Sequence, residues 1–199
     1  MSRVWKQLKG DLNELNERDV ILLLKSAISG EKYELPEEFN IEEAYELLNE
    51  QGVTAMGYVG AVQCGIDKKL PAMVKMLRSY FAAASYSEGQ MEMIGRIYEA
   101  FQKEKIDFMP VKGCNMKALY PNPELRTMGD ADILIKIQQY EKIRPIMRSL
   151  GFEEKYESNH ELVWTCPELM VELHKRLIPS YNKDYCAYYG DGWRLAKHN

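Results

Sequence analysis

The 199-residue sequence predicts an α+β protein: a helical N-terminal lobe followed by a small mixed sheet flanked by helices. Apolar residues recur at helical spacing through about the first hundred residues, as in RDVILLLKSAIS. From Ile106 onward, short apolar runs alternate with helical segments. The bulk composition, 46% hydrophobic and 28% charged, is that of an ordinary soluble chain with one domain or two small lobes. The expected division is 1–105 for the helical lobe and 106–199 for the α/β lobe. A single compact unit and a C-terminal truncation remain open alternatives.

Taken in order, RDVILLLKSAIS forms a helix stopped by Gly30. In NIEEAYELLNEQG, Asn40 caps, Glu42 and Glu43 occupy the first turn where the helix dipole favours them, and Gly52 follows the end. The stretch from Lys69 to Lys105 is one long helix or one broken at Ser87-Glu88-Gly89. Its Met and aromatic residues fall at helix-face spacing and read as core, a Met-rich binding groove being the alternative. IDFMPV is then a strand, CNMKALY a short helix, ADILIKI a strand, and QQYEKIRPIMRSLG a helix ended by Gly151, with Pro145 kinking it or shifting its start. ELVWT and LMVELHK read as a hairpin joined through Cys166-Pro167-Glu168. The tail from Ile178 shows tyrosines and loop residues without a clear period.

The 26 basic residues against 30 acidic give a net charge of -4, and no Lys/Arg block suited to a long duplex nucleic acid occurs. The four cysteines form no CxxC pair, and no apolar leader follows MSRVWKQLKG, which points to a reducing, cytoplasmic setting. No run approaches 18 apolar residues, so no membrane-spanning helix is expected. Spacing also supports no Cys/His zinc cluster and no Ser-His or Cys-His nucleophile pair.

The chemistry lies in the carboxylates. In GDADILI, strand alternation puts Asp130 and Asp132 on one face and Ala131, Ile133 and Ile135 on the other. Two such charges about 7 Å apart repel by about 0.6 kcal/mol in water and about 2.4 kcal/mol at an effective dielectric near 20. A divalent cation would offset this, and so would turn or cap interactions at the strand entrance. In LMVELHK the same alternation places Met170, Glu172 and His174 together, so Glu172 stands in an otherwise apolar strand. If the two strands are neighbours, Asp130, Asp132 and Glu172 cluster, and such a cluster either holds magnesium or is solvated on a sheet edge. Ahead of them, Lys112-Gly113 in FMPVKGCNMKALY stands at a strand-to-helix turn, where backbone amides and glycine allow a phosphate to approach.

VKGCNMKALY, LRTMGDADILI and VELHKRL occur in that order. The set resembles the uncharacterised nucleotidyltransferase family of the DNA polymerase β-like nucleotidyltransferase superfamily, whose members carry KG-helix-Y, R-x-x-G-D-x-D and an acidic E-L-H strand. The resemblance covers about Ile106 to Arg176. It implies a nucleotidyltransferase-like sheet and transfer of a nucleoside monophosphate from a nucleoside triphosphate such as ATP to a hydroxyl or phosphate acceptor on a small molecule, a protein or an RNA end. It implies Mg2+, with Mn2+ as the substitute ion, held by Asp130, Asp132 and Glu172, and a phosphate-facing turn at Gly113. The superfamily has Gly-Ser at that turn where this chain has Gly113-Cys114, and the spacing to Asp130 is longer here. Lys112 or Arg126 would then supply the phosphate contact, against the simpler readings of a solvated strand end and a salt bridge. His174 shares the Glu172 face, as a nucleotide contact or as a structural histidine. The rival reading is a non-catalytic nucleotide-sensing or protein-interaction module with this fold.

Overall fold

A computed structural model describes residues 14–193 and residue 196. The chain packs as two compact units, one of residues up to Ser85 with Tyr120–Thr127, the other of Tyr86–Leu119 with Met128 onward. This division differs from the change of pattern at 105/106, because the pattern marks where strands begin, whereas compactness follows which helical turns pack on the sheet.

The first unit contains α1 (Glu14–Ser29), α2 (Ile41–Glu50), α3 (Thr54–Cys64) and the opening turns of α4 (Pro71–Lys103). Asn40 caps α2 as its residue type demands, accepting from the Glu42 and Glu43 amides at 3.0 and 3.5 Å. Leu23, Leu48, Met73 and Met76 form a fully buried core, so these methionines are core residues. Gly60 allows α3 to approach α1 closely: a Cβ there would lie 1.9 Å from the Leu23 carbonyl oxygen.

The second unit carries β1 (Phe108–Val111), the five-residue α5 (Gly113–Lys117), β2 (Asp130–Ile135), α6 (Tyr140–Ser149), β3 (Glu153–Glu157), β4 (Glu161–Thr165), β5 (Met170–His174) and α7 (Lys183–Tyr189). The sheet order is β1-β2-β5-β4-β3, with β2 and β5 parallel and the other pairs antiparallel. One face, from Ala131, Ile133, Ile135, Leu162, Trp164, Val171 and Leu173, packs on Ile94, Ile97 and Phe101 of α4 and on Ile143 and Met147 of α6. The fold is therefore α+β, a helical N-terminal region followed by a five-stranded mixed sheet flanked by helices.

Of the two readings of the stretch from Lys69 to Lys105 the single long helix holds: α4 runs unbroken from Pro71 to Lys103. A mid-helix glycine costs about 1 kcal/mol, which tertiary bonds here offset: Ser87 Oγ accepts from the buried Lys117 ammonium at 2.7 Å, and Gln90 Nε2 donates to the Met128 carbonyl at 2.9 Å. Pro145 lies inside α6. The helix is preceded by a 3-10 turn, Ile137–Gln139. EEKYE, too polar to read as a strand, is the edge strand β3, mostly exposed, with its register shifted between Glu154 and Tyr156. Among the described residues after Ile178, Lys183–Tyr189 form α7 and Gly192 is buried, where a Cβ would lie 3.2 Å from Leu134 at one end of the polar sheet face.

Candidate active site

The parallel pairing of β2 with β5 sets Asp132 opposite Glu172, Asp130 opposite Met170 and Leu134 opposite His174. Because side chains alternate, Asp130, Asp132, Glu172 and His174 share the face opposite the one that packs on α4 and α6. On the next strand, β4, Glu161 is opposite His174.

Asp132 is the centre. Its side chain is 4% exposed, and Oδ1 lies 2.5 Å from Lys112 Nζ and 2.7 Å from His174 Nε2. A carboxylate only accepts, so His174 holds its proton on Nε2. His174 Nε2 is also 3.5 Å from Glu172 Oε2, and Nδ1 is 3.8 Å from Glu161 Oε2. Among the described residues, the ligand atoms of Asp132, Glu172 and His174 lie within 4.8 Å of one another, and so do those of His160, Glu161 and His174. Asp130 belongs to neither group, being half-buried one strand repeat from Asp132. Position along the strand thus separates the two aspartates, and the third donor beside Asp132 and Glu172 is an imidazole.

The electrostatics record an excess of acid. Burial pushes the Glu172 carboxyl up from its ordinary value, reinforced by Glu161, Asp130 and Asp132 and opposed by His174. Lys112 loses solvation, but the hydrogen bond and charge of Asp132, with Glu172 and Asp130 behind it, outweigh that loss and raise its pKa. Asp132 and Glu172, with His174 beside them, form a donor set that can hold a divalent cation, and the carboxylate oxygens suit a hard one.

Lys112 links the strand to α5 with φ 47°, ψ −115°, a region side chains rarely adopt. Its side chain is 64% exposed, with the ammonium on Asp132. Gly113 is buried where a Cβ would meet Met128 side-chain atoms at 3.1 Å and the Asp130 carbonyl oxygen at 3.7 Å, so the turn passes directly beside β2. With five residues, α5 is too short for its dipole to bind a phosphate unaided. Arg126 belongs to the first unit, where it caps the 3-10 turn Pro123–Leu125 and donates to the Thr127 carbonyl at 3.2 Å.

Glu161 and His160 were not anticipated. The signal was present, since closing the β4–β5 hairpin through Cys166-Pro167-Glu168 fixes which residue of ELVWT faces His174. The His160 ring lies 5.0 Å from that of His174 at 60°. Burial and the His174 charge hold its pKa below the ordinary histidine value.

The five-stranded sheet thus carries a carboxylate cluster beside a glycine turn. The chain belongs to the uncharacterised nucleotidyltransferase family, whose model matches residues 37–198. The solution structure of the antibiotic-resistance factor ANT(2'')-Ia is similar over 45% of this chain and 48% of its own, at 13% identity and a TM-score of 0.41, so the match spans about half of that protein. No curated protein matches the sequence.

Proposed function

We propose that the protein is a magnesium-dependent nucleotidyltransferase that moves a nucleoside monophosphate from a nucleoside triphosphate to a hydroxyl or phosphate acceptor. The observation that supports this most is the Asp132–Glu172 register on adjacent parallel strands, on the sheet face opposite the hydrophobic core, in a chain of this family. Asp132 and Glu172 would hold the ion, Mg2+ with Mn2+ as substitute, and Asp130 would complete the oxygen set. A bound ion of this kind neutralises triphosphate charge and orients the reacting groups. The acceptor oxygen bonds to the α-phosphorus, a hydroxyl acceptor giving up its proton to water, the bond from that phosphorus to the bridging β-phosphate oxygen breaks with its electron pair staying on that oxygen, and pyrophosphate leaves. The Lys112 side chain is largely exposed, with its ammonium on Asp132. With an ion held by Asp132 and Glu172, that ammonium would be available to a phosphate oxygen beside the Gly113 turn. His174, fixed by Asp132, orients that carboxylate.

A second reading, a nucleotide-sensing or protein-interaction module, is favoured by one observation: Asp132 is already satisfied by Lys112 and His174 without a metal. Calorimetric titration with ATP, GTP, CTP and UTP, with and without Mg2+, combined with a pyrophosphate-release assay over candidate acceptors, separates the two. The enzyme requires metal-dependent binding abolished by Asp132→Asn, together with pyrophosphate release. Binding without release supports the module. Absence of binding for all four nucleotides at millimolar concentration defeats the enzyme and the nucleotide-sensing module, and leaves the protein-interaction module. No helix of the described residues is long and apolar enough to cross a membrane. Together with four free cysteines, this supports placing the reaction in a reducing, cytoplasmic setting.

A further inference from the structure

We propose that His160, Glu161 and His174 form a second, zinc-binding site next to the carboxylate cluster. Hairpin register places Glu161 opposite His174, and His160 adjoins it in the chain. The segment is pinned: Ser158 Oγ accepts from the His160 and Glu161 amides at 3.1 and 3.0 Å, and the Lys175 amide donates to the His160 carbonyl at 2.8 Å.

Three observations point to a metal there. First, two donors bound tetrahedrally at about 2.1 Å from one ion are about 3.4 Å apart. Glu161 Oε2 and His174 Nδ1 are 3.8 Å apart, too long for a hydrogen bond and close to the separation an ion between them would set. Second, His160 Nδ1 is buried and has no hydrogen-bond partner, a state polar atoms in proteins seldom keep. Third, Asp132 binds His174 Nε2 at 2.7 Å, leaving the lone pair on Nδ1, the nitrogen facing Glu161. A carboxylate holding the far nitrogen of a ligating histidine is the usual support of a zinc imidazole. Two imidazoles and one carboxylate are a zinc set with one open position, whereas magnesium favours oxygen donors. His174 would then serve both sites, through Nδ1 here and through Nε2 on Asp132, so the zinc would hold the orientation of Asp132.

The test uses the full chain stripped of metal by chelator and dialysis, then titrated with Zn2+ and separately with Co2+. Expected is tight binding of one Zn2+ per chain, with a tetrahedral visible spectrum for Co2+ and no displacement by millimolar Mg2+. His160→Gln and Glu161→Gln should each weaken Zn2+ binding by at least about 10-fold. Thermal melts check that both variants fold. Zinc affinity unchanged in both variants, or an octahedral cobalt spectrum, overturns the proposal. Failure of nucleotide binding in the parent protein bears only on the transferase reading.

Discussion

Replacing Glu172 and Asp132 separately by their amides should move the stability of the metal-free protein in opposite directions. Glu172 faces His174 only at 3.5 Å, and the charges of Glu161, Asp130 and Asp132 push its pKa up. The Glu172 and Asp132 carboxylates lie within 4.8 Å of one another, where like charges repel by about 3.5 kcal/mol at an effective dielectric near 20, largely offset by His174 and Lys112. Glu172→Gln should therefore stabilise by about 1 kcal/mol, or raise Tm by about 2–4 °C for a chain of this size. Asp132 is buried and accepts two charge-assisted hydrogen bonds, from Lys112 and His174. Asp132→Asn weakens both and strands a cation, so it should cost about 2–3 kcal/mol. The pH dependence supplies a check of sign. A carboxyl whose folded pKa is raised contributes most at low pH and loses that contribution as pH rises above about 4.5. Glu172→Gln should accordingly gain stability relative to the parent on going from pH 4 to pH 7. Thermal melts across that range, without metal and then with Mg2+ and nucleotide, measure all of this. In the second condition both variants should lose the ligand-induced rise in Tm. If Glu172→Gln lowers the metal-free Tm as much as Asp132→Asn does, like-charge repulsion is not what Glu172 contributes.

Gly60→Ala should destabilise by about 3 kcal/mol or more, because its Cβ would strike the Leu23 backbone at 1.9 Å; a denaturant midpoint within error of the parent would contradict that packing. Trp164, fully buried beneath β4, should cost about 3–5 kcal/mol on truncation to alanine, measured by equilibrium unfolding. Burial and a 2.7 Å hydrogen bond to Glu154 push Tyr140 up to about 12, so the unfolded chain loses its phenolic proton first and stability should fall between about pH 10 and 12. Tyr140→Phe should flatten that slope, and an unchanged slope would assign the alkaline transition to another group.

The sequence by itself determined the elements whose signals are local. Asn40 and Gly30 mark helix ends through backbone chemistry that needs no partner. GDADILI and MVELH announce strands with polar residues on one face because alternation is a property of the backbone. The family was legible as well, since its motifs are short and ordered in the chain. What only tertiary structure decided was anything set by a neighbour. The continuity of α4 through Gly89 depends on bonds from Lys117 and to Met128. The strand character of EEKYE comes from pairing with β4, because its own residues carry no apolar alternation to reveal it. In the site, strand alternation put the two aspartates on one face, but which acids touch was fixed by register across strands. That register pairs Asp132 with Glu172, leaves Asp130 aside, and brings in His174, Glu161 and His160 from residues up to 42 positions away in sequence. Separation of that kind leaves no periodic trace, because the geometry joining the residues belongs to the sheet.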